Sequence, residues 1–244
     1  MIILSTIIPI YNKEKALRQT LQSVIDNHEI NDDEYECILV DDESTDSCSE
    51  ICREFCKKYS YFKYVRIFND RTVLPSAARN IGLKLSEGKY IHFLDADDIL
   101  SKNFYKAGTD FLLHNNEDIF IRSLRIVKNN TWYVYTPAAF DNTIYCPPLQ
   151  STIFSKKCIK DVKFDIVKSN EDILFFWIVM MNNDFKFYDD RTNFDSFVYY
   201  EKFSELNGKY PGMDKNSSDK YIVEYLQNYE KYPYKLENGI IVKK

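Results

Sequence analysis

The sequence is poor in the residues that several common functional sites require. It has six glycines and no Gly-x-x-x-x-Gly-Lys or Gly-x-Gly-x-x-Gly segment, which argues against a glycine-rich phosphate loop. Its three histidines, His28, His92 and His114, are scattered, and no His-Glu-x-x-His occurs. A histidine metal site and a histidine-based triad are therefore disfavoured, and we expect His92 to be a core residue rather than a ligand.

The sequence also lacks an excess of positive charge and a long apolar run. The net charge is -5 and the sequence pI is about 5.4, which argues against a nucleic-acid partner. No apolar run approaches the length that crosses a bilayer, and the first residues lack a basic region that would indicate a signal peptide. We therefore expect a cytoplasmic protein whose six cysteines are reduced.

Three of the cysteines are spaced like one face of a helix. Cys48, Cys52 and Cys56 recur every four residues, which places them one above the other on a helix. Three thiolates can bind a soft metal, but no fourth ligand is evident in the sequence. We interpret them as small apolar packing residues.

Strand and helix patterns alternate over the first hundred residues. The nearly continuous apolar run at 2–10 predicts a strand buried on both faces, which ends at Pro9, and further strands are predicted at 35–40, 62–68 and from 90. Amphipathic helices are predicted between them, the second capped by Ser44 or Thr45 and running to about residue 59, the third over 74–86. This alternation predicts an α/β fold with a parallel, right-handed sheet.

Two predicted strands end in clusters of acids. Asp41, Asp42 and Glu43 follow the second strand, and Asp95, Asp97 and Asp98 follow the strand that begins at Tyr90. Because parallel strands share the direction of their carboxyl ends, both clusters should lie at one edge of the sheet, where open α/β sheets bind ligands. Like charges this close raise each other's pKa values, and a divalent cation would relieve the conflict. The alternative is an acidic turn in which Asp caps the next helix.

The pattern after residue 100 is less regular. It predicts a helix over 102–114, strands over 118–128 and 132–136 joined by a turn at Asn129-Asn130, and a short helix from Ser155 to about residue 162. An apolar helix should begin at Glu171-Asp172, followed by strands around 185–188 and 197–200.

Four segments resemble, in order, the motifs of family 2 glycosyltransferases. They are Ile7-Ile8-Pro9-Ile10-Tyr11-Asn12, the stretch Ile38 to Asp46 (ILVDDESTD), Ala78-Arg79-Asn80-Ile81-Gly82 running into Gly88 to Asp98 (GKYIHFLDADD), and Glu171-Asp172. The resemblance covers roughly residues 3–180. It implies a GT-A fold, with a mixed, mainly parallel sheet flanked by helices, and an inverting enzyme that uses a nucleotide-sugar donor.

The resemblance also implies roles for individual residues. Pro9, Tyr11 and the first acids, Asp41 especially, would hold the nucleotide base, and Asp95 would lie near the ribose. Asp97 would bind Mn²⁺ or Mg²⁺, which bridges the diphosphate. Arg79 would support the donor phosphates or order the acids, with a purely structural salt bridge as its alternative. The implied nucleotide-sugar site comprises Pro9, Ile10, Tyr11, Asn12, Asp41, Asp42, Arg79, Asp95 and Ala96.

The reaction follows from the same resemblance. Asp172 would be the general base that takes the proton from the acceptor hydroxyl, although an acid at a helix start also suits the macrodipole. The implied donor is a UDP-sugar, and the acceptor a saccharide or lipid-linked saccharide of a surface polysaccharide. The enzyme would act in the cytoplasm or in peripheral contact with the inner face of the membrane. Without transmembrane helices, it would transfer single sugars rather than polymerise them.

The sequence departs from the family at two places. The segment Asn69 to Ser76 lacks the usual glycine, and Arg71 there is a further candidate for phosphate contact. No histidine follows His114 to complete a metal site.

The alternatives to an active glycosyltransferase are a catalytically degenerate nucleotide-sugar-binding relative and a sugar nucleotidyltransferase. We expect a transferase domain at 1–204, with its donor half at about 1–100, and a C-terminal extension at 205–244 packed on it.

Overall fold

The computed structural model gives an α/β protein whose helices cover both faces of a central sheet. It describes residues 1–27, 29–68, 74–116, 118–122, 124–128, 131–135, 149–164, 171–182, 187–190, 197–200, 234–237 and 240–243. The Asn129-Asn130 turn, Arg71 and the polar stretch 205–219 lie outside these residues.

Strands and helices alternate through the first half of the chain, as the sequence predicts. These elements are β1 (Leu4–Ile10), α1 (Glu14–Asp26), β2 (Tyr35–Asp42), α2 (Cys48–Lys58), β3 (Phe62–Ile67), α3 (Pro75–Leu85), β4 (Tyr90–Phe93) and α4 (Phe104–Asn115). The later elements are mostly strands: β5 (Ile119–Arg122), β6 (Leu124–Lys128), β7 (Thr131–Tyr135), β8 (Thr152–Ser155), α5 (Glu171–Asn182), β9 (Phe187–Asp190), β10 (Phe197–Tyr200), β11 (Tyr234–Glu237) and β12 (Ile240–Lys243).

The central sheet has seven strands in the order β3-β2-β1-β4-β8-β5-β9. Strand β8 runs antiparallel to both of its neighbours, and the other pairs are parallel, so the predicted mixed, mainly parallel sheet is confirmed. Strand order reverses between β1 and β4, because β2 follows β1 in sequence but lies on its other side. Such a switch point leaves a crevice at the carboxyl ends of the strands.

The sheet is buried on both faces. All seven residues of β1 are buried, because helices pack on either side of it. Leu4 and Ile8 belong to a cluster with α1, α2 and α4. Ile7 belongs to the opposite cluster, which includes Phe175 and Phe176 of α5. The continuous apolar run at the start of the sequence therefore has a direct structural cause.

Two predictions about helix starts are wrong. Helix α2 begins at Cys48, not after Ser44 or Thr45, because the Asp46 carboxylate accepts the Cys48 N–H at 3.0 Å and keeps the preceding residues in a loop. Residues 156–161 form turns in place of the short helix expected after Ser155, although the Ser155 hydroxyl does accept the Cys158 N–H at 3.3 Å.

The predicted strand over 118–128 divides between two sheets. Strand β5 joins the central sheet, whereas β6 pairs with β7 as the expected hairpin and also with β10. Strands β11 and β12 form an antiparallel pair within the last residues of the chain, where the sequence pattern predicts no particular element.

The close approach of α3 to β1 depends on Gly82. A Cβ added there would lie 2.3 Å from Cγ2 of Ile7, closer than real carbon atoms approach. We expect Gly82→Ala to lower the free energy of unfolding by about 1–3 kcal/mol through overpacking, even though alanine favours helices by about 1 kcal/mol. Urea unfolding measures the change, and exposed Lys84→Ala on the same helix is the control. An unchanged or higher midpoint for Gly82→Ala would contradict the close contact.

Candidate active site

A cleft of about 330 Å³ lies at the carboxyl ends of β1, β2 and β4, beside the first turns of α3 and α5. This is where the sequence places the two acid clusters. The cleft brings together most of the predicted site residues with four others. Its lining is Pro9, Ile10, Tyr11, Lys13, Asp42, Pro75, Ala78, Arg79, Asp95, Ala96, Asp97 and Glu171.

The loop after β1 presents an aromatic ring to the cleft. Tyr11 lines the cleft and is 44% exposed, so one part of its side chain is open to a ligand. Asn12 has a positive φ of 50° and serves the loop itself. Its side-chain oxygen accepts the Thr45 N–H at 2.8 Å, and its own N–H donates to the Ser44 hydroxyl at 3.1 Å. Asn12 therefore fastens this loop to the one after β2 and does not line the cleft.

Asp41 and Asp42 point in opposite directions, because neighbouring residues of a strand face opposite sides of the sheet. The fully buried Asp41 carboxylate accepts the Tyr64 hydroxyl at 2.7 Å and the Ser44 N–H at 2.8 Å, away from the cleft. Asp42 lines the cleft. The structure thus places Asp42 at the cleft, where the sequence emphasised Asp41.

The two oxygens of the Asp42 carboxylate differ in their hydrogen bonds. Its Oδ2 accepts the Leu74 N–H at 3.2 Å, while its Oδ1 is buried and has no hydrogen-bond partner among the described residues. Burial raises the pKa of Asp42 above its usual value, against the effect of the Leu74 N–H. A buried carboxylate oxygen without a partner is costly, so a donor group entering the cleft would find a prepared acceptor.

Arg79 is the cation at the centre of the cleft. Its guanidinium donates to Asp95 and to Glu171, each at 2.7 Å, and lies over the Phe164 ring. Burial alone would lower the pKa of Arg79, but Asp95, Glu171 and Asp172 raise it, so the group stays protonated. This pair of bonds ties the strand end of β4 to the first turn of α5.

Asp95 is held from a second side by Gln150. The side-chain amide of Gln150 donates to Oδ2 of Asp95 at 2.6 Å, while the Gln150 backbone carbonyl lies 2.9 Å from the His92 ring. His92 is fully buried, and burial lowers its pKa to about 4, so it is a neutral core residue. Asp95 is thus an oriented carboxylate with both oxygens engaged.

Asp172 follows Glu171 in the first turn of α5. It is half-buried, and its charge contributes to the raised pKa of Arg79, so the two groups lie near one another. The Arg79 guanidinium donates directly to the Glu171 carboxylate, and Asp172 is the next residue in the first turn of the same helix. The helix start that carries Asp172 therefore borders the cleft through Glu171, although Asp172 itself does not form part of the lining.

Asp97 is the carboxylate at the mouth of the cleft. Its side chain is 39% exposed and accepts a hydrogen bond from the Lys13 ammonium at 2.5 Å. Partial burial would lower the pKa of Lys13, but Asp97, with Asp95 and Asp98, raises it. Lys13 is therefore a cation at neutral pH.

The acids after β4 differ in what they offer a metal. Asp95 is engaged by Arg79 and Gln150, and Asp98 is fully buried, which raises its pKa well above the usual range. Asp97 is half-exposed and a hard oxygen donor, so it fits a divalent cation whose other ligands come from substrate phosphates and water. No cluster of three metal-ligating side chains occurs in the part of the chain that the structure describes.

The cysteine interpretation agrees with the packing. Cys48 and Cys52 are buried in the core cluster that α2 forms with the sheet, and Cys56 packs against that cluster. Cys37, Cys48, Cys52, Cys56 and Cys158 are all free thiols.

Lys13 and Gln150 are site residues that the sequence pattern does not predict, and Glu171 has no predicted role of its own. Lys13 carried one usable signal, because a cation at the start of a helix has the wrong sign for the macrodipole. Gln150 carried none, since its contact with Asp95 joins segments 55 residues apart.

Several curated proteins and solved structures are similar to this chain. TarP of Staphylococcus aureus, a poly(ribitol-phosphate) beta-N-acetylglucosaminyltransferase, is 26% identical over 93% of this chain and 71% of its own length. GgaB of Bacillus subtilis, a minor teichoic acid biosynthesis protein, is 37% identical over 50% of this chain and 13% of its own. The match to two further curated relatives spans 15% of the length of one of them and 19% of the length of the other.

The solved structures show the fold. Residues 1–349 of S. aureus TarS in complex with UDP-GlcNAc match with a TM-score of 0.70 and 24% identity, over 86% of this chain and 62% of that one. The mannosyltransferase PcManGT of Pyrobaculum calidifontis, in complex with GDP-Man and Mn²⁺, matches with a TM-score of 0.62 and 16% identity, over 81% and 56% of the two chains. The implied GT-A fold is confirmed.

A membrane-spanning helix, which must be long and apolar, does not occur among the described residues.

The model of the glycosyl transferase family 2 matches residues 5–170, which is more than half of the chain. This range contains all of three of the four motif segments. The fourth, Glu171-Asp172, begins at the next residue. The chain belongs to glycosyl transferase family 2.

Proposed function

We propose that this chain is an inverting glycosyltransferase that moves one sugar from a UDP-sugar to an acceptor hydroxyl, assisted by a divalent cation. The observation that carries the proposal is the meeting of four features at one cleft. An aromatic ring and an unpaired carboxylate oxygen lie on one wall, an exposed carboxylate lies at the mouth, and the helix start with Asp172 lies beside it.

Tyr11 and Asp42 form the proposed base site. The half-exposed ring of Tyr11 offers a face for stacking, with Pro9 and Ile10 completing an apolar wall. The unpaired Oδ1 of Asp42 accepts the imide N–H, which uracil has and cytosine lacks. This assignment replaces Asp41, whose carboxylate is already bonded to Tyr64 and Ser44.

Asp95 and Asp97 are proposed to hold the rest of the donor. The oriented carboxylate of Asp95 lies near the ribose, and Ala96 leaves room between the two acids. Asp97 would hold Mn²⁺ or Mg²⁺, which neutralises charge on the diphosphate as the leaving group forms. The metal-bound state of the similar PcManGT supports a divalent cation without identifying it.

Asp172 is the proposed general base. Its carboxylate takes the proton of the acceptor hydroxyl while that oxygen attacks the anomeric carbon from the side opposite the diphosphate. The bond from that carbon to the diphosphate breaks, and UDP leaves with the electron pair. One displacement inverts the centre, so an α-linked donor yields a β-glycoside.

The acceptor class is supported by the relatives. TarP is named for a poly(ribitol-phosphate) acceptor and shares 93% of this chain's length, so we propose a polyol-phosphate polymer in place of the lipid-linked saccharide expected from the sequence. The transferred sugar is proposed to be a hexose or an N-acetylhexosamine. The reaction is proposed to take place in the cytoplasm or at the inner face of the membrane.

The division at residue 204 is retained as a proposal. Strand β10 pairs with β6, which draws the chain as far as residue 200 into the strands of the transferase domain. Strands β11 and β12 pair with each other and, among the described strands, with no other. Residues 205–244 are proposed to be a C-terminal extension that packs on this domain.

A thermal-shift panel tests the donor site. Uridine, guanosine, cytidine and thymidine diphosphates are each added with Mn²⁺ and with EDTA. A ligand at one hundred times its Kd stabilises the native state by about 2.7 kcal/mol, which is a rise of roughly 5–10 °C for a chain of this size. We expect that rise with UDP and Mn²⁺, and a smaller one with EDTA.

The other outcomes of the panel decide between alternatives. A larger shift with GDP would show that the donor nucleotide is wrong. No shift with any nucleotide would remove the proposed donor site, whereas a shift with UDP in a protein that transfers no sugar to any acceptor would favour the degenerate relative. A shift with UDP but no transfer to poly(ribitol phosphate) from any UDP-sugar would remove the proposed acceptor.

A further inference from the structure

The first residue beyond the Pro-Ile-Tyr-Asn segment carries a feature that the donor site does not explain. Lys13 is the N-cap of α1, yet its side chain makes no capping hydrogen bond. Ser, Thr, Asp and Asn are preferred at that position, and a cation there opposes the helix macrodipole. A residue that breaks two local rules at the edge of a cleft indicates a requirement other than helix stability.

The Lys13 ammonium is placed on the carboxylate that the proposed function assigns to the metal. It lies 2.5 Å from Oδ2 of Asp97, and the two side chains are 42% and 39% exposed. Both line the cleft that holds Asp42, Asp95 and Arg79. A half-exposed ion pair of this kind contributes little to folding, so its partners can separate at low cost.

The backbone of Lys13 is held by hydrogen bonds that do not involve its side chain. Its N–H donates to Cys48 Sγ at 3.2 Å, and its carbonyl accepts the N–H groups of Ala16 and Leu17. A change of partner by the ammonium therefore requires rotation about side-chain bonds alone. Lysine suits this role, because its ammonium is a point charge on a flexible stem, whereas arginine holds carboxylates in a fixed geometry.

We propose that Lys13 is an exchangeable counter-ion that occupies Asp97 in the free enzyme and transfers to the donor diphosphate when metal and nucleotide enter together. This inference rests on the proposed function for the identity of the donor. Metal alone must displace the ammonium from Asp97 and repel it, whereas the diphosphate gives the ammonium a new partner. Lys13 thereby disfavours metal binding without donor and couples the two ligands.

Lys13→Met tests the exchange, because methionine keeps an unbranched apolar stem and removes the charge. Lys15→Met is the matched control, since Lys15 is an exposed lysine on the same helix and lies outside the cleft. Binding of Mn²⁺ to nucleotide-free protein is followed by the electron paramagnetic resonance of free Mn²⁺. Removing a unit charge next to a divalent ion should tighten Mn²⁺ binding on the order of tenfold in Lys13→Met, with Lys15→Met unchanged.

In a second measurement, on nucleotide binding, we expect the affinity of Lys13→Met to change in the opposite direction. Affinities for UDP and for uridine are measured by calorimetry in EDTA. We expect Lys13→Met to bind UDP roughly fivefold more weakly, because the diphosphate loses its cation, and to bind uridine as the wild type does. Tighter Mn²⁺ and weaker UDP in one variant is a combination that a purely structural ion pair would not produce.

Two results would overturn the exchange. One is equal Mn²⁺ titrations for the three proteins, including no binding by any of them. The other is an equal loss of UDP and uridine binding, which would show a damaged base site. If the wild type binds neither UDP nor uridine, the proposed donor site fails, and the Mn²⁺ titration still reports separately whether Lys13 occupies Asp97.

Discussion

Replacing Asp172 with asparagine is expected to abolish sugar transfer while leaving UDP binding intact. Asparagine has nearly the same shape but cannot accept the proton of the acceptor hydroxyl. A positioned general base contributes about 10²- to 10⁴-fold to rate, and we expect kcat to fall by that factor. UDP release from the UDP-sugar, measured with acceptor present, gives the rate, and the UDP-induced thermal shift gives the binding.

Asp161→Asn is the matched control for that variant. Asp161 is exposed and lies outside the cleft, so the same chemical change there should alter neither rate nor binding. Unchanged transfer in Asp172→Asn would remove Asp172 from the base role. Loss of both transfer and UDP binding would mean that Asp172 supports the donor site, and the base would have to be sought elsewhere along the cleft.

The sequence predicts the sheet because its strands are buried on both faces. The run at the start of the chain is apolar without alternation, and all seven residues of β1 are buried. Acids that follow β2 and β4 must share one edge when those strands are parallel to β1, which the pairing confirms. These inferences need only local pattern and the geometry of parallel sheets.

Which of Asp41 and Asp42 faces the cleft can be decided only from the tertiary structure. A period of two tells us that neighbouring acids face opposite sides, but not which side carries the cleft. Leu74 at the start of α3 binds Asp42 and Tyr64 binds Asp41, and neither contact has a sequence signal. The start of α2 was missed for a similar reason, since the carboxylate of Asp46 holds the preceding loop.

Contacts between segments that are distant in sequence account for the other site contacts that the sequence does not predict. Lys13 and Asp97 are 84 residues apart in sequence, and Arg79 and Glu171 are 92 apart. Opposite charges at such separations are common in any chain of this length, so a pairing cannot be chosen without the fold. What the sequence did show was that Asp97 follows a predicted strand at the edge of the sheet and that Glu171 opens a predicted helix.

The ion pairs of Arg79 are expected to contribute more to stability than any other pair described in the structure. Arg79 is 4% exposed and bonds two carboxylates, and its removal leaves Asp95 and Glu171 without a cation. Breaking a buried pair by removing one partner costs about 3–5 kcal/mol, which we expect as the loss in Arg79→Met on urea unfolding. Arg79→Lys, which keeps the charge but not both bonds, should fall between it and the wild type.

Arg18 provides a control that separates burial from distance. Arg18 and Glu54 lie 2.6 Å apart, as close as the Arg79 pairs, but both side chains are more than half exposed. Arg18→Met should therefore leave the unfolding midpoint almost unchanged, because water replaces the lost partner. Equal losses in Arg18→Met and Arg79→Met would show that burial is not what gives Arg79 its effect.

Adding Glu171→Gln to Arg79→Met tests the cause of the loss. If an unpaired buried charge is responsible, neutralising Glu171 should restore part of the stability, and the two substitutions will be non-additive. Transfer should not recover with it, because the bond that ties the first turn of α5 to β4 is still absent and Asp172 is no longer held beside the cleft. Recovered stability with recovered transfer would mean that Arg79 only balances charge and does not position the base.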